Sequence, residues 1–128
     1  STRPWQHIFD LLNGYLILSA KIYKNNKFNG SWNFGPSPTH VTVKEVISRL
    51  IKILGFNKTF FIKTDKKIKE TGLLSLKTHK SKTNLKWKTK FSLNQSLKII
   101  AEWYLCYINN KKDIEKLSKR QIESFFYD

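Results

Sequence analysis

Three times along this chain a serine or threonine stands three residues ahead of a glutamate or glutamine: Thr42-Val-Lys-Glu45, Ser92-Leu-Asn-Gln95 and Ser118-Lys-Arg-Gln121. Each has the pattern of a capping box. In such a box the two side chains satisfy backbone N–H groups that the start of a helix leaves without partners. The spacing therefore predicts helices opening after Thr42, Ser92 and Ser118. Behind Thr42, the residues Val43, Val46, Ile47, Leu50, Ile51 and Leu54 form one apolar stripe. Val41 and Val46 are placed as a hydrophobic staple, and Gly55 supplies a stop. Behind Ser92 the stripe is Leu93, Leu97, Ile100, Ala101, Tyr104, Leu105 and Ile108. Leu117 and Ile122 would staple the third helix.

A fourth helix is expected over Ile8 to Tyr23, from Leu11, Leu12, Tyr15, Leu16, Leu18, Ile22 and Tyr23. Its apolar residues wrap most of the circumference, and a helix of that kind wants cover on two sides. Strands are expected at Ser31 to Phe34, Thr59 to Lys63 and Leu73 to Leu76, with a charged loop from Asp65 to Thr71. Thr78 to Leu85 suggests a brief helix, while Pro36 and Pro38 bar helix until Thr42. The expectation is one α+β domain over residues 1–128, small and mostly helical with short strands.

A chain of 128 residues with 40% hydrophobic and 14% aromatic content can bury a real core. No run approaches the roughly 18 apolar residues of a membrane span. Cys106 is the single cysteine, so an internal disulfide is excluded and a reducing, cytosolic setting is the default. Met is absent even at position 1, which predicts that Ser1 is an internal boundary of something longer. The formal charge of +15 invites a nucleic-acid partner. Yet 21 of the 24 basic residues are lysines, and they are spread from Lys21 to Lys119. Bidentate recognition of bases and phosphates favours Arg, so a solvated basic surface is the better reading.

Dinucleotide cofactors need a glycine-rich turn between a strand and a helix. The five glycines, Gly14, Gly30, Gly35, Gly55 and Gly72, are too far apart to form one. His7, His40, His79 and Cys106 lack the spacing of metal ligands. The most distinctive segments are Thr2-Arg-Pro-Trp-Gln-His7 and Ser31-Trp-Asn-Phe-Gly-Pro36. In the first, Arg3 can pair with phosphate or carboxylate, Trp5 offers an aromatic wall, and Gln6 and His7 can orient hydroxyls. Pro4 would hold this segment extended.

These two segments, with Trp87-Lys-Thr-Lys-Phe-Ser-Leu, Glu102-Trp-Tyr104 and Arg120-Gln-Ile-Glu123, resemble the C-terminal portion of nucleotide-sugar dehydratases. Those enzymes belong to the NAD-dependent epimerase/dehydratase family of extended short-chain dehydrogenases/reductases, and the CDP-glucose 4,6-dehydratases are most alike. The resemblance runs from Arg3 to about Phe126. The chain departs from the pattern at Lys69 to Ser81, where Glu70, Leu74 and Leu76 are retained. Lys77 stands for an acid and Lys86 for a glycine. That divergence leaves another nucleotide-sugar epimerase or dehydratase open as a reading, beside a non-enzymatic basic nucleic-acid-binding module.

The resemblance implies a substrate-binding lobe whose Rossmann domain, with its NAD, belongs to a missing N-terminal part. It implies a nucleotide-sugar substrate bound through Arg3, Trp5, Gln6, His7, Asn33 and Glu70, and a homodimeric, cytoplasmic parent enzyme. No catalytic residue is implied within this chain. The family's catalytic Tyr-x-x-x-Lys spacing occurs at Tyr23/Lys27 and Tyr107/Lys111, but neither falls at the family's catalytic position. The segment by itself is expected to be inactive.

Overall fold

The computed structural model describes residues 1–37, 40–57 and 72–127. Five α-helices carry the chain: α1 (Ile8–Lys24), α2 (Val43–Leu54), α3 (His79–Asn84), α4 (Leu93–Asn109) and α5 (Ile114–Tyr127). Short 3-10 turns at Asn26–Phe28 and Lys111–Asp113 follow α1 and precede α5. The expected small, mostly helical lobe is what forms, and the described residues contain no Rossmann sheet.

Two of the three boxes cap helices as the sequence predicts. Thr42 Oγ1 accepts the Glu45 N–H at 3.2 Å, and the Glu45 carboxylate accepts the Thr42 N–H at 2.7 Å. That backbone hydrogen bond, followed by the one from the Thr42 hydroxyl, holds the Glu45 carboxyl below its ordinary pKa. Ser92 and Gln95 repeat the exchange at 3.2 and 2.8 Å. Gly55 ends α2 in the left-handed conformation, at φ 69°.

The third box does not cap. The helix is already running at Ile114, so Ser118 is internal. Its hydroxyl donates back to the Ile114 carbonyl at 2.7 Å and accepts the Trp103 indole N–H at 2.9 Å. Gln121 reaches across to the Ile99 carbonyl and to Glu102 instead of its own N-cap. The buried face of α5, built of Leu117, Gln121 and Phe125, begins upstream of Ser118, and that burial sets where the helix must start.

The strand expected at Ser31 to Phe34 is also absent as a ladder. Side chains take the carbonyls that a neighbouring strand would use. Ser31 O accepts Lys80 Nζ at 2.9 Å, Asn33 O accepts the Ser81 hydroxyl, and Phe34 O accepts Gln6 Nε2 at 3.0 Å. Leu73 to Leu76 shrinks to one bridge, in which Leu73 pairs parallel with Thr2 while Thr2 pairs antiparallel with Thr42. Thr59 to Lys63 and the loop from Asp65 to Thr71 lie outside the described residues.

Helix α4 packs against both α2 and α5, and Leu97, Ala101, Leu117 and Phe125 are buried on that side of the molecule. A second core lies under α1. There Phe34, Leu85 and Trp87 are buried, with Leu11, Ile17, Leu18, Phe28 and Trp32 against them. Gly14 makes that approach possible, because a Cβ at this position would sit 2.5 Å from the Phe34 ring. Asp10 and an aromatic chain join the two cores. Phe9 meets Phe125, Phe125 meets Phe91, and Phe91 meets His7, all edge-on.

Candidate functional site: the Arg3–His7 segment

Residues 1 to 7 thread between the start of α2 and residues 72 to 74. Thr2 N–H donates to Gly72 O at 2.8 Å, Leu74 N–H to Thr2 O at 3.3 Å, and Val43 N–H to Ser1 O at 3.2 Å. The segment is not extended throughout. Trp5 N–H donates to Arg3 O across Pro4 at 3.0 Å, closing a three-residue turn that the fixed φ of proline suits. Arg3 itself donates through Nη1 to the Thr2 carbonyl at 2.8 Å.

The next three side chains are anchored one after another. The Trp5 indole donates to Val41 O at 3.0 Å. Gln6 Nε2 donates to Phe34 O at 3.0 Å, and this bond joins the two distinctive sequence segments directly. Gln6 Oε1 is buried and has no hydrogen-bond partner. His7 is buried and caps α1, with Nδ1 accepting the Phe9 N–H at 3.1 Å. That bond places the imidazole proton on Nε2. Burial pushes the His7 pKa down, the nearby Asp10 charge opposing it in part, so the ring is neutral at pH 7.

Asn33 is exposed and donates through Nδ2 to Lys77 O at 3.2 Å, so the 31–36 segment lies between Gln6 on one side and residues 77–81 on the other. The structure therefore assembles Gln6, Phe34, Asn33 and Lys77 around one stretch of backbone. Arg3 and Trp5 lie at its α2 end, and Glu70 lies outside the described residues.

Two recesses lie away from these side chains. One of about 890 Å³ runs along α4 and α5 past Glu102, Cys106, Lys116 and Arg120. An apolar groove of about 250 Å³ between α1, α4 and α5 includes His7, Phe9, Tyr104 and Ile122. Neither touches Arg3, Trp5, Gln6 or Asn33.

The two Tyr-x-x-x-Lys spacings place their lysines on ring faces. Lys27 Nζ lies 5.2 Å from the Phe28 ring centre, and Lys111 Nζ lies 5.1 Å from that of Tyr107. A dinucleotide cradle does not fit these residues either. Gly14 is inside α1 against Phe34, and Gly55 ends a helix instead of opening one. Among the described residues no three His, Cys, Asp or Glu side chains gather as a metal site, and no helix is long and apolar enough to cross a membrane.

No protein-family model matches the chain. A curated relative does: the CDP-glucose 4,6-dehydratase of Salmonella typhimurium, 28% identical over 127 residues. The chain is related to part of a dehydratase. The match covers 98% of this chain but 35% of the relative, so the chain spans about a third of that enzyme's length. The hydrogen bond from Gln6 to Phe34 lies within the matched stretch and ties two of its segments together.

Sequence reasoning missed Asp10. Its carboxylate is fully buried and accepts the N–H groups of Lys90 at 2.6 Å and Phe91 at 3.4 Å. Its main-chain carbonyl accepts the Trp87 indole at 3.1 Å. An acidic residue in the first turn of a helix reads as an exposed partner of the helix dipole, and nothing local distinguishes the buried case.

Proposed function

We propose that this chain is the sugar-nucleotide-binding lobe of a nucleotide-sugar 4,6-dehydratase acting on CDP-glucose. The observation that carries the reading is the joining of the Arg3–His7 and Ser31–Pro36 segments through Gln6 and Phe34, in a chain related over nearly its whole length to such an enzyme. In that reaction the sugar is oxidised, loses water and is reduced again to a 4-keto-6-deoxy product. NAD supplies the hydride chemistry and would be held by a separate N-terminal domain outside this chain.

The role of these residues would be placement. Arg3 would pair with a phosphate, as a guanidinium does best. The unpartnered Gln6 Oε1 would accept a ligand hydroxyl or amino proton, relieving an unsatisfied buried acceptor. Trp5, tied by its indole N–H to Val41, would present a ring fixed in orientation. Asn33 and Glu70 would complete the set, and neutral His7 would hold the segment in position from beneath. Holding the sugar in one orientation is worth several orders of magnitude in rate when the reacting partner is supplied by another domain.

Saturation-transfer NMR of the chain with CDP-glucose tests this. The account expects transfer to the cytosine and ribose protons, weakened by Arg3→Ala and by Gln6→Leu in variants that keep the parent melting temperature. Transfer that is absent, or unchanged in both variants, would overturn the proposed role of the segment.

A further inference from the structure

At the end of the Ser31–Pro36 segment away from Gln6, a recess of about 440 Å³ is lined by Lys27, Phe28, Trp32, Lys80 and Asn84. Phe28 and Trp32 stack with their rings 28° apart and centroids separated by 6.2 Å. Their faces are occupied by cations. Lys80 Nζ lies 4.1 Å from the Trp32 centre, and Lys27 and Lys21 lie 5.2 and 5.7 Å from that of Phe28. Because the rings already carry ammonium groups, the recess does not offer a bare platform for stacking a base. It offers fixed positive charge.

Lys80 is pre-ordered. It donates to Ser31 O at 2.9 Å while lying over Trp32, so two of its contacts are made before any ligand arrives. The Trp32 ring is held in turn by its indole N–H, which donates to Phe28 O at 2.8 Å. Among the described residues, no acidic side chain lines the recess. Two ammonium groups lining one recess repel each other, and an anion bound there is attracted to both. The Asn84 amide also lines the recess and can donate to an oxyanion.

We propose that this recess is a phosphate site, in which Lys27 and Lys80 clamp a phosphate or diphosphate group and Asn84 donates to it. The site is separate from the Arg3–His7 segment and does not depend on the reading of that segment. Lysine, a compact point charge, suits a phosphate whose ester substituent is not itself recognised.

The test is a titration of the 15N-labelled chain with inorganic diphosphate at low ionic strength. Saturable shifts confined to Lys27–Trp32 and Lys80–Asn84 are expected. Lys27→Ala and Lys80→Ala should each weaken binding about tenfold, the loss expected of one charge-assisted hydrogen bond. Lys52→Ala and Lys98→Ala, on exposed faces of other helices, should change nothing. Lys27→Ala removes a side chain exposed outside the cores, so it stays informative if Lys80→Ala unfolds. Shifts spread over lysines of all helices, or equal affinity in the two pairs of variants, would overturn the proposal. A second arm separates the sources of phosphate. An oligothymidylate that displaces diphosphate from these same residues assigns the site to a nucleic-acid backbone, and displacement by a nucleoside diphosphate alone assigns it to a small ester.

Discussion

The carboxylate of Asp10, in the first turn of α1, accepts the backbone N–H of Lys90, 80 positions away, at 2.6 Å. With Phe91 N–H on its other oxygen and the Trp87 indole on its main-chain carbonyl, Asp10 ties α1 to the loop that leads into α4. It ties the core under α1 to the loop that enters the other core.

Asp10→Ala should therefore be among the most damaging polar substitutions in the chain. It strands two N–H groups, each costing about 1–3 kcal/mol when buried without a partner. Urea denaturation should show a loss of about 3 kcal/mol, with Asp10→Asn retaining part of it. A loss below about 1 kcal/mol, the usual effect of an ordinary single substitution, would remove Asp10 from its central place.

Lys86 sits just past α3 with φ 54°, a left-handed conformation in which a side chain is strained. The backbone at this position takes the shape that glycine favours. Lys86→Gly should raise stability by about 1 kcal/mol, the strain relieved less the added freedom of the unfolded chain. Thermal denaturation decides it, and an unchanged or lowered midpoint contradicts the account.

Ser92 and Ser118 look alike in sequence and differ in structure. Ser92→Gly, at a true N-cap, should cost only a few tenths of a kcal/mol. Ser118→Gly, inside α5, should cost about 1 kcal/mol for glycine in a helix interior and more for the stranded Trp103 N–H. Equal losses in chemical denaturation would mean that Ser118 begins a helix after all.

His7 gives stability a pH dependence of known sign. Burial lowers its pKa in the folded chain below the ordinary 6.5, so between those values the unfolded chain binds more protons. Stability is then fully present above about pH 6.5 and falls as pH drops toward the folded pKa, with a slope of at most about 1.4 kcal/mol per pH unit. His7→Asn keeps a capping oxygen and removes the titration. The variant should lose less stability than the parent between pH 7.5 and 5, and parallel losses would assign the acid sensitivity to other groups.

Legibility followed locality. Helices α1, α2 and α4 were readable because their starts, apolar stripes and stops are written within a few residues, as at Thr42, Glu45 and Gly55. The third box misled because Ser118 and Gln121 have partners supplied by α4, namely Trp103, Ile99 and Glu102. Ser31 to Phe34 reads as a strand by alternation, yet its carbonyls are met by Lys80, Ser81 and Gln6 from distant positions. Arg3, Trp5, Gln6 and His7 were recognisable as a group. Their division into a turn at Pro4, two anchored donors and a buried cap depends on Val41, Phe34 and Phe9, and that is visible only in three dimensions.

The central claim is that this lobe recognises a nucleotide sugar, and calorimetric titration with CDP-glucose, UDP-glucose and free CDP tests it most directly. The account predicts saturable binding that prefers CDP-glucose over UDP-glucose, two ligands of equal charge, at both low and moderate salt. Equal affinities for the two sugars that collapse together as salt rises would show that the chain responds to phosphate charge alone, and would contradict it.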